Sequence, residues 1–256
     1  MILKRKIYKK LLEWKKECQG KKALLIEGAR RIGKSTICEE FGKSEYKSFL
    51  LIDFAKKDKE VEGYFEKYLN DLDTFFMLLQ THFGTKLTER NSLIIFDEVQ
   101  MFPQARAAIK YLVADGRYDY IETGSLISIR ENVKNIVIPS EERNINMYPL
   151  DFEEFAIALE EDLLVEYIKK CFEKREPLER SMHNQAMLLF HQYMLVGGMP
   201  MSVVTFIGSK KDFTEADREK RDILKLYRED IMKIDAKYRS KVLAIYDQIP
   251  GFLSQH

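Results

Sequence analysis

The chain is sparing with the residues that announce a metal centre or a secreted fold. It has only three cysteines, Cys18, Cys38 and Cys171, an odd number with no metal-ligand spacing. That excludes a disulfide framework and fits thiols kept reduced in a cytosol. The four histidines, His82, His183, His191 and His256, are scattered and form neither a ligand cluster nor a triad pattern. No apolar run approaches the length of a membrane span. The opening residues, Met1 to Lys6, lack the apolar stretch of a secretory signal. A cytoplasmic protein with no membrane attachment is therefore expected. Internal repeats and low-complexity segments are also missing. The net charge of +1 over 256 residues points neither toward nor away from nucleic acid. The length suits one domain of usual size with a smaller appendage.

What is present begins at Gly28. Gly28-Ala29-Arg30-Arg31-Ile32-Gly33-Lys34-Ser35 reads G-x-x-x-x-G-K-S, the phosphate-binding loop. Lys22 to Glu27 is a short apolar run that stops at the glycine, as a buried parallel strand does. Thr36 to Phe41 reads as the first turns of a helix, with Gly42 as its stop. Strand, glycine loop and helix are the order that phosphate binding requires, because loop amides and the positive helix end surround the anion. In this pattern Gly28 to Thr36 line the phosphates. Lys34 reaches the β- and γ-phosphates, and Ser35 offers a hydroxyl to Mg²⁺. Cys38 is expected to pack behind the loop.

A second motif follows in Ser92 to Gln100, S-L-I-I-F-D-E-V-Q. Leu93 to Phe96 is an apolar strand that ends in Asp97 and Glu98. A carboxylate at that place can hold Mg²⁺, directly or through water, which makes Asp97 the second metal candidate. Glu98 is the candidate base that orients or deprotonates an attacking water. A third strand, Asp119 to Glu122, leads into Thr123-Gly124-Ser125. Thr123 or Ser125 can touch the γ-phosphate or the water there.

Charge is uneven at the start. Lys4, Arg5, Lys6, Lys9, Lys10, Lys15, Lys16, Lys21 and Lys22 face only Glu13 and Glu17. Ile7, Tyr8, Leu11 and Leu12, with Trp14, lie at helical spacing beneath them. No aromatic residues interleave with the bases, so the preferred reading is an amphipathic helix packed on the sheet with a solvated basic face. Contact with DNA is the weaker reading.

Ser48 to Phe54 reads as another strand. From Val61 to Phe83, the residues Val61, Phe65, Tyr68, Leu72, Phe76, Leu79 and Phe83 recur at helical spacing, with a fresh N-cap expected near Asn70 to Thr74. This stripe reads as core. Arg106 to Ala114 is a helix, and Ile136 to Ile138 marks a fifth strand or its approach. Strands alternating with helices imply an α/β fold whose parallel sheet is covered on both faces. Past Pro149 the pattern is helical. Leu164, Tyr167, Ile168, Cys171 and Phe172 share a face, and further helices run over about Asn184 to Val196, Glu215 to Lys233 and Ser240 to Ile249. The expected division is residues 1–150 for the nucleotide-binding core and 151–256 for a helical lid.

Taken together, E-G-A-R-R-I-G-K-S, I-I-F-D-E-V-Q-x-F-P, I-E-T-G-S-L, M-Y-P-L-D-F-E-E-F and Y-M-L-V-G-G-M-P resemble a prokaryotic AAA-like branch of the additional-strand P-loop ATPases. The likeness covers nearly the whole chain. It implies a P-loop NTPase sheet of strand order 5-1-4-3-2 sandwiched by helices, followed by an all-helical lid subdomain. It also implies bound ATP or ADP with Mg²⁺, and it places Gly197 to Pro200, with Pro200 named for the contact, near the adenine. Members of that family usually carry a winged helix and a restriction-nuclease-like C-terminal domain. By that measure the chain is a truncated form that runs into the start of a winged helix. Arg143, just after the expected fifth strand, is a candidate arginine finger, and Arg30 and Arg31 in the loop can touch phosphate or a neighbouring subunit; a solvated surface arginine is the preferred reading for each.

The expected function is Mg²⁺-dependent ATP hydrolysis, with Lys34, Glu98 and Thr123 as catalytic residues. The alternative is a nucleotide-gated switch whose lid binds a protein or DNA partner with little turnover. Self-association is a further possible partnership.

Overall fold

The computed structural model describes residues 2–125, 141–232 and 234–254. The chain forms two compact units, Ile2–Ile157 and Ala158–His256.

The first unit is built on five parallel strands: β1 (Ala23–Glu27), β2 (Ser48–Asp53), β3 (Ser92–Asp97), β4 (Asp119–Gly124) and β5 (Glu142–Asn146). Their order across the sheet is β2-β3-β4-β1-β5, which read from the other edge is 5-1-4-3-2. All pairings are parallel, and the register brings Asp53 beside Asp97 and Glu27 beside both Gly124 and Asn146. The carboxyl ends therefore share one edge, the usual place for a ligand in such a sheet. Parallel strands need long crossovers. Here these include α2 (Lys34–Glu45), α3 (Lys59–Tyr68), α4 (Leu72–Phe83) and α5 (Pro103–Asp115), with α1 (Ile7–Cys18) ahead of β1 and α6 (Phe152–Ala158) after β5.

The interior strands β3 and β4 are buried at every residue. On one face, Leu25, Ile52, Ile94, Phe96 and Tyr120 join Phe65 of α3, Phe75 and Phe76 of α4, and Phe102 in one core. Phe65 makes edge-on contacts with Phe75 at 5.0 Å and Phe96 at 5.6 Å. The aromatic stripe is thus core, and burying each ring stabilises the fold by about 1.5–3 kcal/mol. Alternate residues, including Leu24, Ile26, Leu93, Ile95 and Ile121, are buried on the other face, where α2 packs. Asp71 caps α4 by accepting from the Thr74 amide at 3.2 Å, which is the break expected inside the long periodic run.

Two local expectations in this unit, at Gly42 and Leu12, need correction, and a third falls outside the described residues. Gly42 does not stop α2, which continues to Glu45. It lies inside the helix because a Cβ there would meet the Phe49 ring at 2.8 Å. The strand beside β1 is Glu142–Asn146; the expected one at Ile136 to Ile138 lies outside the described residues. As a polar edge strand, E-R-N-I-N offers no apolar run to read. On α1, Ile7, Leu11 and Trp14 are buried, and the Trp14 indole N–H donates to the Lys22 carbonyl at 2.9 Å. Leu12, expected beneath the basic face, is exposed.

The second unit is helical: α7 (Asp162–Lys174), α8 (Arg180–Val196), α9 (Pro200–Gly208), α10 (Phe213–Ile231) and α11 (Ala236–Leu253). Gly197, with φ of 77°, ends α8. The buried Ser202 hydroxyl donates to the Val196 carbonyl at 2.8 Å, tying α9 to α8. Val203 and Phe206 fill the small core of this unit. Phe172 was expected on the buried face of α7 but is 83% exposed. The helix expected over Ser240 to Ile249 is α11, which runs from Ala236 to Leu253 with Pro250 inside it. Among the described residues no single helix is long and apolar enough to cross a membrane; α8 and α9 meet that test only jointly, bent by 118°.

Candidate functional site: a phosphate loop against two strand ends

The loop after β1 has the backbone its sequence calls for. Arg31 has φ of 68° and Gly33 of 91°, a left-handed conformation that glycine adopts without penalty. A Cβ on Gly28 would sit 2.3 Å from the Met147 carbonyl oxygen and 2.6 Å from Ile32. Met147 in turn donates its amide to the Glu27 carbonyl at 2.8 Å. Only glycine fits between the loop and the chain leaving β5. Ile32 is buried, whereas Ala29, Arg30, Arg31 and Thr36 are exposed along the rim.

Helix α2 starts at Lys34 with no side-chain cap at Gly33 and no acidic residue in its first turn. Its first amides are thus left for an anion. Lys34 is 5% exposed, and its ammonium donates to the carbonyls of Gly28 at 3.2 Å and Ala29 at 2.8 Å. Burial lowers its pKa, opposed by the charges of Glu98 and Asp97. Cys38 is buried one turn further along α2, and that burial pushes its thiol pKa up, as for an inert packing residue.

Three separate segments meet at Asp97. Ser35 Oγ donates to Asp97 Oδ1 at 2.9 Å. The Thr123 hydroxyl, wholly buried at the end of β4, donates to the same oxygen. The Glu98 amide donates to Thr123 Oγ1 at 3.2 Å. Thr123 therefore joins the two carboxylate residues instead of facing the open site. Glu98 itself has left-handed backbone, with φ of 54°, an uncommon conformation for a residue with a Cβ and one that clusters at functional sites. Gln100 Nε2 donates to Glu98 Oε2.

The donor set fits Mg²⁺. One hydroxyl and one carboxylate within hydrogen-bond reach leave most positions of a small hard cation to water and phosphate oxygen, the coordination it favours. A site of three or more His, Cys, Asp or Glu residues does not occur among the described residues.

Arg143 does not come to this place. Arg143 is the second residue of β5, at the strand end away from the loop, and is ion-paired with Glu17 at 2.6 Å. That removes it as a finger acting at this chain's own site. Pro200 is the first residue of α9, in the second unit. Two contributors went unread in the sequence. Gln100 could have been found from its place two residues after the base. Arg5, counted among the solvated bases, is half-buried with its side chain only 6% exposed, and it donates to the loop carbonyl of Ile32 at 3.0 Å; no local signal marks it.

A five-stranded parallel sheet of this order, with the glycine loop after its first strand and an acidic pair after its third, defines a P-loop NTPase of the α/β class. A family model described as "AAA domain" matches residues 20–156, more than half of the chain, and the chain belongs to that family. Membership carries a nucleotide-binding, ATPase-type function. No curated protein matches the sequence. Among solved structures, C. elegans PCH-2 is similar over 84% of this chain and 64% of that one, at 12% identity and a TM-score of 0.40, too loose a likeness to argue from.

Proposed function

We propose that the chain binds ATP with Mg²⁺ and hydrolyses it to ADP and phosphate. The observation that carries this reading is the Ser35 to Asp97 contact of 2.9 Å, which joins the phosphate loop to the acidic strand end. Loop amides and Lys34 bind the β- and γ-phosphates. Ser35 and Asp97 would hold Mg²⁺, which when bound supplies positive charge to the phosphate oxygens. Glu98 accepts a proton from water as the water oxygen bonds to the γ-phosphorus and the bond to the ADP oxygen breaks. Thr123 and Gln100 hold the two carboxylates in place. The adenine is assigned to the Gly197 to Pro200 turn by family resemblance alone. Residues 1–150 then act as the catalytic core and 151–256 as the lid.

The test is Mg²⁺-dependent ATP turnover by the wild type beside Glu98→Gln and Lys34→Ala, with ATP binding measured in parallel. Turnover lost in Glu98→Gln with binding kept supports hydrolysis by this base. A wild type that binds no nucleotide sinks the reading.

A nucleotide-gated switch is the second reading. Its support is limited to the helical unit, which exposes Leu188, Met194 and Leu195 on α8, apolar surface suited to a protein partner or a second copy. Tight binding by the wild type without turnover selects it. DNA as a partner is the weaker reading and rests on the basic N-terminal segment and on the nuclease-like domain usual in the family that the sequence resembles.

A further inference from the structure

We propose that Arg5 is a positioning residue for the phosphate loop, acting through the Ile32 carbonyl. This rests on the nucleotide-binding reading above. Arg5 lies just ahead of α1, far in sequence from everything it holds. Its Nη1 donates to the Ile32 carbonyl at 3.0 Å and its Nη2 to the Tyr148 carbonyl at 2.6 Å. Its Nε donates to Glu154 Oε1 at 3.2 Å. The Arg5 and Glu154 side chains are 6% and 7% exposed, so this is a buried fork with each arm occupied.

The partner is itself fixed. Glu154 Oε1 also accepts the Lys6 amide at 2.6 Å. Glu154 Oε2 accepts the Asp151 amide at 3.2 Å, while Asp151 Oδ1 accepts the Glu154 amide at 2.9 Å. That reciprocal pair is a capping box at the start of α6. Arg5 thus ties the loop to a rigid helix end.

The effect on the loop follows from peptide geometry. The Ile32 carbonyl and the Gly33 N–H belong to one planar trans unit and point in opposite directions. Gly33, on the amide side of this peptide, has φ of 91°, and glycine restricts that angle less than any other residue. An arginine holding the carbonyl on one side presents the amide on the other. Lysine cannot do this equally, because it lacks the flat fork that meets two carbonyls and a carboxylate together.

The experiment compares wild type with Arg5→Lys and Arg5→Met. Hydrogen exchange of the nucleotide-free protein is read over residues 28–35, thermal unfolding is followed, and Mg²⁺–ATP is titrated by calorimetry. Expected are faster exchange confined to the loop in both variants, an unfolding temperature within a few degrees of wild type for Arg5→Lys, and ATP binding weakened on the order of tenfold, the scale on which supporting residues act. Unchanged exchange in the loop, or ATP binding within about twofold of wild type, overturns the proposal. Faster exchange spread over the whole first unit also overturns it, since that is a general loss of structure. If Arg5→Met does not fold, Arg5→Lys decides. If the wild type binds no ATP, the nucleotide-binding reading fails by itself, and the exchange result still judges Arg5.

Discussion

The two units handle apolar residues in opposite ways. In the first, β3 and β4 bury every residue, and Phe65, Phe75, Phe76 and Phe96 close over one face of the sheet. In the second, α11 buries none of its described residues and leaves Ile245, Phe252 and Leu253 in the open. The second unit keeps a small core around Val203 and Phe206, but a larger share of its apolar side chains stays exposed. Buried apolar packing and the phosphate loop thus lie in the first unit, and much of the exposed apolar surface in the second.

Substitutions can break that contrast. The largest effect is expected at the core: Phe96→Ala should destabilise by about 3–5 kcal/mol, the cost of emptying a packed aromatic site. Phe252→Ala on α11 should stay within about 0.5 kcal/mol, as surface changes do. Urea unfolding of the two variants measures both, and equal losses would undo the contrast.

A second comparison uses one substitution at two glycines. Gly28→Ala forces a methyl to within 2.3 Å of a backbone oxygen and should cost about 1–3 kcal/mol while abolishing ATP binding. Gly208→Ala, at the end of α9, meets nothing within 4 Å and should stabilise by up to about 1 kcal/mol, since alanine favours helix. Binding and unfolding of each variant provide the check, and a Gly28→Ala protein that still binds ATP would show that the loop yields more than its packing implies.

The smallest expected effect sharpens the picture of the core. Arg106 forms a buried pair with Glu142 at 3.0 Å, and Glu122 beside them is wholly buried with neither oxygen hydrogen-bonded as an acceptor. Burial, with the Glu142 charge, pushes the Glu122 pKa well above its ordinary value of 4.5, and Arg106 only opposes this. As an acid it can donate to Glu142; as a carboxylate it would have no donor. The folded protein therefore holds this proton more tightly than the unfolded chain. Stability is full below the ordinary glutamate value and is lost as pH rises through the raised one, by at most about 1.4 kcal/mol per pH unit. Glu122→Gln, which keeps a donor without the titration, should flatten that slope. Parallel stability curves for wild type and variant between pH 5 and 8 would show that Glu122 is not the source.

The candidate phosphate site was legible as a motif because its signals are local. The loop is eight consecutive residues, and the acidic pair closes an apolar strand; each carries its own signal. The aromatic stripe of α3 and α4 was legible for the same reason, through its period. What escaped depends on residues brought together by the fold. Gly42 looked like a helix stop because its neighbour Phe49 belongs to the next strand. Arg143 looked free because Glu17 is far away in sequence. Arg5 looked solvated because its acceptors, Ile32, Tyr148 and Glu154, lie in two distant segments. β5 had no apolar run because an edge strand has less to bury.

The contact between Gly28 and Met147 has a bearing on how such a chain can drift. The tight spot is a missing side chain facing a main-chain oxygen, so changing the side chain of residue 147 relieves nothing. Any lineage that acquires a side chain at position 28 must first reroute the chain where it leaves β5, and with it the path into α6. The two places are bound as a single heritable unit, although more than a hundred residues lie between them.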